Sequence, residues 1–359
     1  MEERKMILNM LNEGKISVEE AEKLLYALND KKKLQLSSIS PLSLKNKAVN
    51  GATAVKLPTS GYKVAKFFDR VVKRIKTVDF DLNFGPSEPV HYVFQDSHVM
   101  FQAMDIEVYN GSVTVVPWDR KDVQVECDAH VYKVPEGSSA KTKFRNETFY
   151  DCDATKMRFY SRNKHQKVNA VISIPREAYD EIKITTFNGP VKISDSHAKT
   201  LTVKTTVGAI AMNHCTGENV KASAANGSLT LNDCQFKDVE AETMNGPVRL
   251  SVDASQVRSE TINGSIYCRF ASAVEGYASF KTVTGKIETE FPETLELDAV
   301  LKTIVGGFVC DFESVEVREE KKEVTRKFLS FIANGGKSWP SFKLEAEAKT
   351  GSVVVLKAK

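Results

Sequence analysis

Asp195, His214 and Asp233 recur at a fixed spacing of 19 residues. An imidazole between two carboxylates can hold a divalent cation or relay a proton. Such a set works only if the chain returns to the same place at each repeat, about 4.8 Å on if the elements are paired strands. The competing reading is that short polar residues populate turns because they hydrogen-bond local backbone. The next repeat offers Val252 at this position and no second histidine. The column is therefore read as turn chemistry, and no metal, catalytic or cofactor-binding residues are assigned. Cys215 and Cys234 share the adjacent position. Stacked neighbours can meet disulfide spacing, but small core thiols are the expectation for a reducing compartment. Asn213 and Asn232 are expected to form a hydrogen-bonded ladder.

Other motifs add little chemistry. "NGGKS" at 334–338 ends like a phosphate-binding loop, but Phe331 stands where the first glycine is required. Asn110, Asn226 and Asn263 open glycosylation-like triplets that also suit turns. No nucleophile–base arrangement or dinucleotide fingerprint stands out. The enzyme alternative is a carbohydrate-active β-helix, which needs paired carboxylates along one face.

The segment "YKVAKFFDRVVKRIK" (62–76) carries a different signal. Val64, Phe67, Phe68, Val71, Val72 and Ile75 recur at helical spacing, while Lys63, Lys66, Arg70, Lys73, Arg74 and Lys76 occupy the rest. This predicts a basic amphipathic helix. It suits an anionic membrane surface, where each Lys or Arg is worth about 1 kcal/mol. It equally suits a cap over one end of a strand stack. No nucleic-acid fold accompanies the charge, so nucleic acid is not an expected partner.

The elements that must position the columns begin near Thr77. Gly189, Gly208, Gly227, Gly246, Gly264, Gly285 and Gly306 are separated by 19, 19, 19, 18, 21 and 21 residues. Related units surround Gly111 ("VYNGSVTVV") and Gly351 ("AKTGSVVVL"). Three residues before the glycine stand Thr186, Thr205, Thr243, Thr261, Thr282 and Thr303, with Ala224 the exception; two after it stand Val191, Ile210, Leu229, Val248, Ile266 and Ile287. One unit buries too few apolar side chains, at about 1.5–3 kcal/mol each, to offset roughly 1–2 kcal/mol of backbone entropy per residue. Stacked units share a core. The fold class expected is mostly β: a right-handed β-solenoid of roughly 19–21-residue repeats behind a small α-helical hairpin. Each glycine is expected at a corner with φ > 0. Stacked independent β-hairpins remain the alternative.

Residues 1–29 predict the helical hairpin, with Gly14 as a cap and Ser17–Glu20 as a capping box. Helices this short are marginal alone, so the module is expected to dock on itself, a copy or a partner. Residues 30–61 predict a basic linker, 62–76 the basic helix and 77–359 the repeat domain. Residues 31–76 carry a net charge of about +11 against +3 for the whole chain. No run of about 18 apolar residues is present, so no spanning helix is expected. The six cysteines form no C-x-x-C pair, and the opening "MEERKMILNMLNEGK" does not resemble a secretory leader.

"LNEGKISVEEAEKLLYAL" resembles the short SHOCT-like helical module of YvlB-type bacterial proteins. "VDFDLNFG" (78–85) and the serial "T-x-N-G-x-V-x-V" units resemble the Toastrack family, whose members often carry an adhesin label. The resemblance implies a repeat domain without catalytic residues, and relatives linked to envelope-stress systems. Together these readings give a non-enzymatic scaffold for protein–protein assembly at the cytoplasmic membrane face. Its expected partners are proteins, a second copy of the chain and an anionic membrane, with no cofactor. An exported adhesin-like surface protein is the other alternative.

Overall fold

The structure is a computed structural model and describes residues 85–97, 100–323 and 326–358. The expected hairpin (1–29), linker (30–61), basic helix (62–76) and first repeat residues (77–84) lie outside the described residues.

Strands dominate. The chain begins with β1 (Ser87–Asp96), β2 (Ala103–Asn110), β3 (Val113–Trp118) and β4 (Val123–Tyr132), then helix α1 (Ala140–Glu147). β5 (Thr148–Cys152), β6 (Lys156–Ser161) and β7 (Gln166–Pro175) follow. Long and short strands then alternate: β8 (Ala178–Asn188), β9 (Val191–Ser194), β10 (His197–Val207), β11 (Ile210–Asn213) and β12 (Thr216–Asn226). β13 (Leu229–Asn245) serves both classes, because Asp233 at φ 50° bends it. The alternation continues through β14 (Val248–Asp253), β15 (Gln256–Asn263), β16 (Ile266–Phe270), β17 (Gly276–Thr284), β18 (Ile287–Phe291), β19 (Glu296–Val305) and β20 (Phe308–Cys310). β21 (Val315–Glu323), β22 (Arg326–Ala333), β23 (Ser341–Thr350) and β24 (Val353–Lys357) close the chain.

Each long strand turns at its glycine into a short one, and each pair stacks in parallel on the next. Leu201 pairs with Val220 and Val220 with Val239 along the long strands. Val191, Ile210, Leu229, Val248 and Ile266 pair in series along the short ones. Inward side chains of both faces form one core, and those short-strand residues are fully buried. Parallel coil-to-coil pairing makes the fold β-solenoid-like and excludes independent hairpins.

The corner explains two sequence columns. A Cβ on Gly246 would lie 2.2 Å from the carbonyl oxygen of Gly227, and one on Gly227 would lie 1.9 Å from that of Gly208. At Gly189 the same atom would lie 1.9 Å from the carbonyl oxygen of Gly111. Gly189 and Gly246 have φ +149° and +148°, as expected. Gly227 and Gly264 have no positive φ, which corrects the expectation that every corner glycine is left-handed. Close backbone approach, rather than handedness alone, demands glycine here. The glycine carbonyls are then satisfied by threonine: Thr243 Oγ1 donates to Gly227 O at 3.0 Å, and Thr282 Oγ1 to Gly264 O at 2.8 Å. Gly189 O accepts from two hydroxyls, Thr186 Oγ1 at 3.2 Å and Thr205 Oγ1 at 3.3 Å.

The stacking order departs from chain order at both ends. The Gly285 and Gly306 coils are not neighbours, contrary to their succession in the sequence. β23 lies between β17 and β19, and β24 between β18 and β20. Gly285 N donates to Thr350 O (2.9 Å) and Gly351 N to Val305 O (2.8 Å). At the other end β2 lies between β6 and β8, and β3 between β7 and β9. The Gly189 coil therefore stacks directly on the Gly111 coil, 78 residues earlier, where Gly111 N donates to Asn188 O at 2.9 Å. Each inserted coil is paired on both sides instead of presenting an open edge.

Further strands are added at both ends of the stack. β22 and β21 add antiparallel to β19, and the outermost strand is charged and exposed along its length. At the N-terminal end β4 and β1 add to β7, β5 adds to β6, and α1 packs on this group. The helix starts after Ser139 and buries Ala140 and Phe144, one turn apart, with Phe144 5.9 Å from Tyr92 between ring centroids.

Two outcomes follow from this architecture. Gly246→Val should destabilise by roughly 4 kcal/mol or more, whereas Thr243→Val, which loses one hydrogen bond, should cost about 1 kcal/mol. Urea titrations measure both, and equal small losses would refute the corner. Removal of residues 341–359 should abolish cooperative thermal unfolding, because it strips a coil from inside the stack. A truncated protein that melts like the parent would contradict the threaded order.

Candidate interaction face

Strand alternation presents every second long-strand residue outward. The position after the corner threonine forms one column. In stack order it holds Tyr109, Phe187, Thr206, Ala225, Met244, Ile262 and Val283. Tyr109 and Phe187 stack with centroids 4.7 Å apart. Apart from Thr206 this is an apolar stripe along the glycine edge.

The position before the threonine forms a polar column beside it. Ser223 pairs with Glu242, Glu242 with Glu260, and Glu260 with Lys281. Glu242 and Glu260 are 6% and 9% exposed although both face outward. Ser223 is fully buried, and its hydroxyl has no hydrogen-bond partner. Lys281 Nζ lies 3.9 Å from Glu260. One column further out, Lys221 and Glu240 form an ion pair at 2.6 Å. Thr202, Lys221, Glu240, Arg258 and Tyr277 line a shallow groove of about 390 Å³.

Burial pushes the Glu242 carboxyl up to about 7; the Lys221 charge opposes this, and Glu240 and Glu260 add to it. At Glu240 burial also pushes upward, but the Lys221 ammonium outweighs it and the net shift is downward. Opposed shifts on neighbouring carboxylates are the electrostatic pattern of glycoside hydrolysis. Here Glu240 is engaged by Lys221, and Glu242 is shielded from any sugar in the groove. The arrangement is that of a surface ion network.

The corner column does come together. His214 Nδ1 lies 3.5 Å from Asp195 Oδ1, and Nε2 lies 3.9 Å from Asp233 Oδ2. All three residues are left-handed (φ 49°, 51° and 50°) and exposed, which makes them turn residues. Among the described residues no group of His, Cys, Asp or Glu is arranged to hold a metal ion. Cys215 and Cys234 are buried free thiols. The hydrogen bond with Cys215, and then burial, hold the Cys234 thiol well above its ordinary value.

Asn232 Nδ2 donates to Asn213 Oδ1 at 2.9 Å. A second ladder at the residue before the glycine links Asn226, Asn245 and Asn263 at 2.7 and 2.8 Å. The predicted corner glycines share one edge, in the order Gly111, Gly189, Gly208, Gly227, Gly246, Gly264, Gly285, Gly351 and Gly306. The basic-helix residues from Lys63 to Lys76 lie outside the described residues. Sequence reasoning missed the apolar stripe and the Glu242–Glu260 pair. Reading the residues on either side of each threonine as columns would have found both.

A family model described as Toastrack DUF4097 matches residues 101–338, and a SHOCT-like domain model matches residues 2–33. The chain is 33% identical over 210 residues to the uncharacterized protein YvlB of Bacillus subtilis (strain 168). That match covers 57% of this chain and 58% of the relative. A solved structure described as a candidate adhesin, from Bacteroides fragilis NCTC 9343, covers 75% of this chain and 97% of its own at 10% identity and TM-score 0.41. Another, from Parabacteroides merdae ATCC 43184, covers 75% and 96% at 10% identity and TM-score 0.39.

The Glu242 shift fixes a pH dependence. Its folded pKa exceeds the ordinary 4.5 and reaches about 7, so the folded state binds the proton more tightly than the unfolded chain. The stabilisation is complete below pH 4.5 and is lost as pH rises through 7. Glu242→Gln should flatten that fall, a difference on the order of 1–3 kcal/mol between pH 5 and pH 8. Urea midpoints at the two pH values measure it; the same slope in both proteins would remove Glu242 as the cause.

Proposed function

This chain belongs to the Toastrack DUF4097 family, and from that premise we propose that it is a non-enzymatic scaffold. Its work is protein–protein assembly at the cytoplasmic face of the membrane, within a bacterial envelope-stress response. The observation that carries the reading is the outward face of the long-strand sheet. There an apolar stripe and a row of paired charges run side by side across consecutive coils. That is an extended surface for another macromolecule, of the kind solenoids present. The coils wind right-handed in repeats of 19–21 residues, the hand that parallel crossover connections adopt. The helical module at the N-terminus docks a protein partner or a second copy. The basic segment 62–76 holds the protein peripherally at the inner leaflet.

Co-sedimentation with vesicles tests the membrane arm. The protein should pellet with anionic vesicles and much less with neutral ones. Salt should weaken the association, because surface charges are screened over about 8 Å at physiological ionic strength. Phe67→Asp with Phe68→Asp should abolish it. Equal recovery on neutral and anionic vesicles would remove the membrane from the proposal.

A further inference from the structure

We propose that the segment Tyr62–Lys76 also docks within its own chain, laying its apolar side along the outward stripe and its basic flank over Glu242 and Glu260. The inference rests on the reading of this segment as a basic amphipathic helix. It makes lipid and the chain's own sheet competitors for one helix.

Length supports the fit. A helix of this segment is about 22 Å long and crosses between four and five strands spaced about 4.8 Å apart. The coils of Thr206, Ala225, Met244, Ile262 and Val283 provide that distance. Chemistry fits as well. Val64, Phe67, Phe68, Val71, Val72 and Ile75 match an apolar stripe whose neighbouring column is acidic at this point. Glu242 and Glu260 are direct register partners, and like charges directly opposite repel. A cation from above relieves that repulsion. Ser223, beside them, is fully buried on the outward side with an unpartnered hydroxyl, and Ala225 is 1% exposed. Both are what a covered patch of sheet presents.

The chain also enters at the right place. Ser87 pairs with Tyr132, and Val131 with Gln166, just before the strand that pairs beside Gly111. Ser87, at the start of β1, therefore lies toward the glycine edge of this group of strands.

Limited trypsin digestion of the full chain tests the docking. Cleavage at Lys66, Arg70, Lys73 and Arg74 should be about tenfold or more slower in the parent than in Met244→Lys with Ile262→Lys. Glu242→Gln with Glu260→Gln should speed it less, and most at low salt. Equal cleavage in the parent and a folded stripe variant would overturn the docking. If the Lys pair fails to fold, Val283→Lys, at a position 37% exposed, replaces it under the same criterion. Anionic vesicles added to the same proteins keep the two ideas apart. Tighter binding by the stripe variant shows competition for the helix. No binding by either protein ends the membrane reading and leaves the digestion rates to decide the docking.

Discussion

The approach of one coil's backbone to the next at the glycine corner sets the geometry of everything else. With Cβ positions 1.9–2.3 Å from a carbonyl at successive corners from Gly189 to Gly285, no side chain larger than hydrogen fits there. The buried carbonyl must still be satisfied, and at Gly189, Gly227, Gly246 and Gly264 a threonine three residues before the next glycine does this, whereas Ala224 holds that position opposite Gly208. Glycine and threonine thus form one device that fixes how each coil sits on its neighbour. A one-residue slip would drive a Cβ into that carbonyl and turn every core residue outward.

Stacks of repeats are ordinarily one-dimensional: each unit touches its sequence neighbours, and the ends fray. Insertion of the first and last coils changes this. β2 pairs with β8, with Asp105 opposite Lys183, and β18 pairs with β24, with Ile287 opposite Val353. These pairings close long loops, whose entropy must be met before any contact rewards it. Folding should be slower than for a simple array. In return the chain's first and last coils sit inside the stack, and fraying has to begin with the charged hairpin at one end or the α1 group at the other.

The repeating interior was legible in the sequence because its constraints are local. The residues two after each glycine, from Val191 to Ile287, are buried, and the threonines hold the corner. The coil order was not legible. Gly306 and Gly351 carry equivalent local signals, and only pairing across the stack decides which adjoins Gly285. Nor does any local signal at Gly189 say that its neighbour is Gly111. Helix α1 was hidden because Ala140 and Phe144 are its only buried residues, too few to mark a period. The interaction face was missed for another reason. Attention to titratable residues led to Asp195, His214 and Asp233, whereas the informative columns flank the threonines and mix apolar with charged positions.

A register that cannot slip has a consequence on the outside. Every outward residue is held opposite the residue at the same position one coil away. Most of the sheet resolves this by alternating sign: Lys183 faces Asp105, Lys221 faces Glu240, and Glu240 faces Arg258. At Glu242 and Glu260 the sign repeats, and burial pushes one carboxyl to about 7. The stack cannot relieve this repulsion by shifting, because the corners forbid it. Protonation of Glu242, Lys281 beside Glu260, and positive charge laid across the face each relieve it. The constraint that builds the core therefore also selects the place where the surface favours a basic partner.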